Sequence, residues 1–203
     1  MRPLGPDLAR DPSVVIGLDM SLTSTGVAAV AAGTLRVTLH RIRSKGAKDD
    51  TFAARGHRLE QIAEDVQAAA QARAGTLVVI ESPAYSRLTG HMHDRSGLWW
   101  LTVALMRDLG CDVVEVTPNA RAKYGAGKGN AAKDEVLAAM VRRFPDLAVD
   151  GNDVADALIL ASMGIRWLGS PLEDAPGRVS PSKACLTAMD AVVWPEPLWS
   201  PAA

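Results

Sequence analysis

The sequence predicts an α/β fold in which a mixed central sheet lies between helices on both faces. Three strand-like runs come first, joined by tight turns, the pattern of an antiparallel meander. Two further apolar runs follow, each reached through a helical stretch long enough for a parallel crossover. Helices then dominate the chain as far as Leu168.

The elements follow in order. Val14 to Asp19 is an apolar run that ends in a carboxylate and reads as a buried strand. Met20 to Gly26 is a polar turn, Val27 to Val30 resumes a strand, and Leu35 to Ile42 alternates like a half-exposed one. Arg43 to Asp50 is a charged loop. Phe52 to Ala74 has helical spacing, with Leu59, Ile62, Ala63, Val66 and Ala70 on one face. Leu77 to Glu81 is a second buried strand ending in an acid. Pro83 to Asp94 reads as a loop, Ser96 to Leu109 as a helix stopped by Gly110, and Cys111 to Val116 as a strand. Asn119 to Tyr124 is a helical turn and Gly125 to Asn130 a flexible Gly-rich stretch. Ala131 to Phe144 and Asn152 to Leu168 are helices, the last capped by Asp150 or Asn152. Ser170 to Pro181 is rich in Pro, Gly and charge and reads as a linker, Ser182 to Val193 as one short helix. The expected division is an extension over 1–13, a catalytic domain over 14–169 and a Pro-rich tail over 170–203.

Composition narrows the function. The chain has 203 residues, which suits one domain, and 48% are hydrophobic, enough for an ordinary core. The net charge of -1 means that any nucleic-acid contact must come from a local basic patch. The two cysteines, Cys111 and Cys185, make neither a disulfide framework nor a cysteine zinc site. No apolar stretch is long enough to span a membrane, and 1–13 lacks the apolar core of a secretory signal, so the cytoplasm of a bacterial or phage-infected cell is the expected compartment.

The chemistry points to acids. Asp19 and Glu81 each close a fully apolar strand, and carboxyl ends of strands are where α/β sheets gather ligands. Asp153 and Asp156 open the last helix at a spacing that puts both on one face. Singly, such acids have ordinary uses, in a turn or against a helix dipole. Together they repel: two unit charges at ~4 Å cost roughly 4 kcal/mol at an effective dielectric of about 20. A divalent cation relieves that repulsion, and all-oxygen donors suit Mg²⁺ or Mn²⁺ rather than zinc. Two such ions serve in-line phosphoryl displacement.

Arg121, Lys123, Lys128 and Lys133 surround the Gly-rich stretch, where the backbone can approach a phosphate and the charges neutralise several. The stretch lacks the Gly-Lys-Ser/Thr ending of a nucleotide-binding P-loop. His91 and His93 form an exposed loop pair. Trp99 and Trp100 begin a helix face suited to core or dimer packing.

These motifs resemble, in order, those of the RuvC-type Holliday-junction resolvases. Gly17 to Gly26 looks like the first motif, Val79-Ile80-Glu81-Ser82-Pro83 the second, Gly127 to Val136 the basic loop entering a helix, and Asn152 to Leu158 the last acidic motif. The resemblance covers most of 14–168 and implies an RNase H-like fold, a homodimer and Mg²⁺-dependent nicking of four-way DNA junctions by two ions per site. It implies metal-binding catalytic roles for Asp19, Glu81, Asp153 and Asp156, and basic positions near the cleaved phosphate for Lys123 and Lys133. Tyr85 is the only nearby candidate for the family's base-stacking aromatic residue after the second motif. The loop Thr89 to Asp94 and the tail beyond Ser170 lie outside the resemblance. Two other readings remain open: an actin- or sugar-kinase-like ATPase, whose first phosphate loop the turn after Asp19 also resembles, and a non-cleaving branched-DNA binding protein.

Overall fold

A computed structural model of the chain describes residues 14–83 and 91–195. Strands β1 (Val14–Asp19), β2 (Ser24–Ala31) and β3 (Arg36–Arg43) form the expected meander. Helix α1 (Phe52–Ala70) crosses to β4 (Leu77–Glu81), and α2 (Met92–Asp108) crosses to β5 (Asp112–Val116). Helices α3 (Pro118–Ala126), α4 (Lys133–Arg143) and α5 (Asn152–Trp167) follow. The sheet order is β3-β2-β1-β4-β5, with β1 parallel to β4 and β4 parallel to β5.

Strand alternation divides the core into two layers. Ile16, Leu18, Val78 and Ile80 pack with α1 and α2, whose Ile62, Val66, Leu98 and Met106 are buried there. Val15 and Val79 face the opposite way and pack with α5, which is buried from Val154 to Ile165. The same alternation turns Asp19 and Glu81 toward the α5 layer. Sequence periodicity alone thus decides which layer must carry the acidic helix.

Several boundaries differ from the sequence reading. Helix α1 ends at Ala70 because Gln71 adopts a left-handed conformation (φ 50°). Helix α2 begins at Met92, so its first turn reaches into the stretch read as a loop. Gly125 is inside α3, and it is Gly127, at φ 84°, that ends the helix. The flexible stretch is therefore shorter than its glycines suggest. Neither Asp150 nor Asn152 caps α5: the cap position is Gly151, and Asp150 instead accepts from Arg41 Nη2 at 3.0 Å.

The segment read as a linker is packed. Leu172 and Glu173 are buried within a 3₁₀ turn (Leu172–Asp174), and Arg178 pairs with Asp146 at 2.8 Å. The short helix α6 covers only Lys183–Leu186, capped by Ser182, and Trp194 stacks on Trp167 with ring centroids 5.7 Å apart. Proline and glycine mark irregular backbone there. They do not mark solvated backbone, because Leu172, Glu173 and Trp194 supply the anchoring side chains. The expected N-terminal extension lies outside the described residues.

Candidate active site

The site begins with strand register. Leu18 is level with Ile80 in the parallel β1–β4 pair, so the next residues, Asp19 and Glu81, end neighbouring strands side by side. Parallel strands lie about 4.8 Å apart, which brings two acids together on one sheet face. The Trp99 indole N–H donates to the Glu81 carbonyl oxygen at 2.8 Å and holds the end of β4.

Helix α5 brings the other two acids. It approaches β1 and β2 so closely that a Cβ on Gly17 would lie 2.0 Å from the Ala157 carbonyl oxygen, and one on Gly26 2.0 Å from the Asp153 carbonyl oxygen. Only glycine at both positions lets the first turn of α5 settle against the strand ends. Asp156 is 4% exposed. Asp153 is half-buried: its carboxylate accepts from Ser24 Oγ at 2.5 Å, and Arg41 Nε lies 3.8 Å away.

The electrostatics follow from this crowding. Burial pushes the Asp19 carboxyl well above the usual range, Glu81 and Asp156 push it further, Arg121 opposes them, and Asp153 adds a smaller push. Burial likewise raises Asp156 to about 6, against the lowering pull of Arg121 and Lys133 and with the help of Glu81 and Asp153. The four acids are thus within electrostatic reach of one another and short of positive charge.

The positive charge between them belongs to Arg121. This residue of α3 is 9% exposed; its Nε donates to Glu81 at 2.5 Å and its Nη1 to Asp156 at 2.7 Å. The expected DNA contact thus sits inside the acidic cluster. Among the described residues, no three His, Cys, Asp or Glu side chains stand where they share one ion in this arrangement. The donor chemistry nevertheless fits a divalent cation. All four groups are carboxylates, two have raised affinities for a proton, and a guanidinium already takes the place of a cation between two of them.

The other predicted residues scatter around this centre. Lys133, exposed at the start of α4, lies close enough to lower Asp156. Lys123 is half-buried on α3, and Lys128 is exposed and paired with Glu135 at 2.9 Å. His91 and His93 are exposed, and His91 lies 3.7 Å from Asp94. Tyr85 lies outside the described residues. Sequence reasoning missed Ser24, Arg41 and Trp99 as partners of the acids; the only signal was the proximity of Ser24 to Asp19 in the first motif.

No protein-family model matches the chain. It is 29% identical over 154 residues to the crossover junction endodeoxyribonuclease RuvC of Chlamydia trachomatis serovar L2, covering 73% of this chain and 88% of that protein. The structure of Thermus thermophilus RuvC matches with a TM-score of 0.57 at 24% identity, over 77% of this chain and 97% of that one. T. thermophilus RuvC in complex with Holliday junction substrate matches with a TM-score of 0.55 at 23% identity, over 78% and 97%. Among the described residues no helix is long and apolar enough to cross a membrane. By sequence the chain is similar to a crossover junction endodeoxyribonuclease, and its mixed sheet between helices is the RNase H-like fold that it shares with T. thermophilus RuvC.

Proposed function

We propose that the chain is a divalent-metal-dependent, structure-selective DNA endonuclease that resolves four-way junctions by paired nicks, working as a homodimer in the cytoplasm. The convergence of Asp19, Glu81, Asp153 and Asp156 on one electrostatic centre carries this reading. The curated relative, named as a crossover junction endodeoxyribonuclease, supports it. Those four acids would hold Mg²⁺, two ions per site, with Mn²⁺ as a substitute. When bound, divalent ions neutralise the phosphodiester and the charge that develops on it during in-line displacement.

The chain's own residues supply the rest. Water adds to phosphorus as the bond to the 3′ oxygen breaks, and the proton balance leaves a 5′-phosphate and a 3′-hydroxyl. Lys133, beside Asp156, stabilises the developing negative charge. Lys123 and Lys128 position the backbone through phosphates, and Tyr85 stacks on a base at the junction. Neither the ATPase nor the non-cleaving reading gains support: the curated relative is named as a nuclease, and all four acids are present.

The test is incubation with four-way, forked and linear DNA, with and without Mg²⁺. Symmetric paired nicks in the four-way substrate, only with Mg²⁺, are expected. Equal cutting of linear DNA, or cutting in the presence of a chelator, would contradict the reading.

A further inference from the structure

We infer that Arg121 is the site's resident counter-cation, and that divalent ions load only by displacing its guanidinium from between Glu81 and Asp156. The inference deepens the metal-dependent reading above and rests on it. Its basis is geometric. One guanidinium spans two acids from different elements, Glu81 at the end of β4 and Asp156 in α5, at 2.5 and 2.7 Å. Each carboxylate gives the guanidinium one oxygen, Glu81 Oε2 and Asp156 Oδ1, and an ion seated between the two acids would fill the gap the guanidinium occupies, where two cations repel. Arginine stays protonated at any working pH, so protonation cannot relieve the competition. The side chain must withdraw.

The supporting helix is built to stay while the side chain moves. Helix α3 starts at a Thr117 cap with proline in its first turn, directly after β5. One turn beyond Arg121, Tyr124 is fully buried; its hydroxyl donates to Glu173 at 3.2 Å and accepts from Arg166 at 2.9 Å. Withdrawal is thus a rotamer change on a fixed helix. It leaves a positive charge at the rim of the site, where a DNA phosphate approaches. Ion loading and phosphate contact then become linked events, each favouring the other.

The experiment uses the whole metal-free chain with ¹⁵N-labelled arginine. The Arg121 Nε–H resonance is identified by its absence in R121K and followed as Mg²⁺ is added, with calorimetry in parallel. The resonance is expected to shift or broaden with the same midpoint as the calorimetric heat. In R121Q, calorimetry with Mn²⁺ is expected to show at least roughly tenfold tighter binding, the scale of freeing one charged hydrogen bond. R121K, which keeps the charge without the fork, is expected to lie between R121Q and the unmodified protein. Binding heat with an unmoved Arg121 resonance, or unchanged or weaker affinity in folded R121Q, would overturn the displacement while leaving the metal site standing. No Mg²⁺ heat at all would remove the metal reading and this inference with it.

Discussion

Helix α3 touches two buried charge clusters, and they are opposites. Under the tail, the Glu173 side chain is wholly buried but has two cations near it, Arg166 at 2.9 Å and Arg143 at 4.0 Å, and accepts a hydrogen bond from the neutral Tyr124 hydroxyl. At the strand ends, four acids face one inserted guanidinium, and two of them are driven toward protonation. The first cluster meets its acid's charge from within the chain and fastens a segment that the sequence resemblance does not cover. The second is unbalanced and needs charge from outside the chain. A buried ion cluster becomes a candidate for chemistry when its acids outnumber its bases, and a structural clamp when they do not.

The unbalanced cluster is the more sensitive of the two to the loss of an acid. Asp19→Asn is expected to lower junction cleavage by about a thousandfold or more, the scale of losing a main electrostatic stabiliser. Gel-shift binding of the same junction should be retained or tightened. In the balanced cluster, Glu173→Ala is expected to cost about 3–5 kcal/mol in denaturant unfolding, because two arginines lose their buried partner. Divalent-ion affinity of the folded fraction should stay close to that of the unmodified chain. Gly26→Ala forces a methyl against the Asp153 carbonyl and is expected to cost at least about 1–3 kcal/mol, while also weakening ion binding by shifting α5.

The raised acids also give the metal-free chain a pH dependence. Asp156 titrates at about 6 in the folded chain, above an unfolded value near 3.9. The folded state therefore binds its proton more tightly, and the metal-free chain loses stability as pH rises from about 4 to about 6. Thermal melting in chelator should show this slope in the unmodified chain, with Asp19 adding to it because its carboxyl is raised too, and Asp156→Asn should reduce it without abolishing it. Saturating Mg²⁺ should flatten it, by favouring the ionised acid.

The pairing of Asp19 with Glu81 was legible in the sequence because strand alternation and register are local rules. Both acids follow apolar runs of matching phase, so parallel pairing must place them on one face. The DxxD spacing at the start of α5 was legible for the same reason. The role of Arg121 was not. Its neighbours Lys123 and Lys128 made it look like part of a phosphate-binding patch, and only the seat of α3 against β4 and α5 turns it inward. The packing of 170–181, read as a linker, was not legible because it rests on pairs remote in sequence, such as Tyr124 with Glu173, 49 residues apart. Composition reports the backbone's irregularity and is silent about such partners.

Whether these four acids gather divalent ions is visible in anomalous diffraction from crystals soaked in Mn²⁺. Anomalous density bounded by the carboxylates of Asp19, Glu81, Asp153 and Asp156, with the Arg121 guanidinium withdrawn, is the expected result. A saturated crystal with no density among those four side chains, or with its manganese bound elsewhere, would contradict the account.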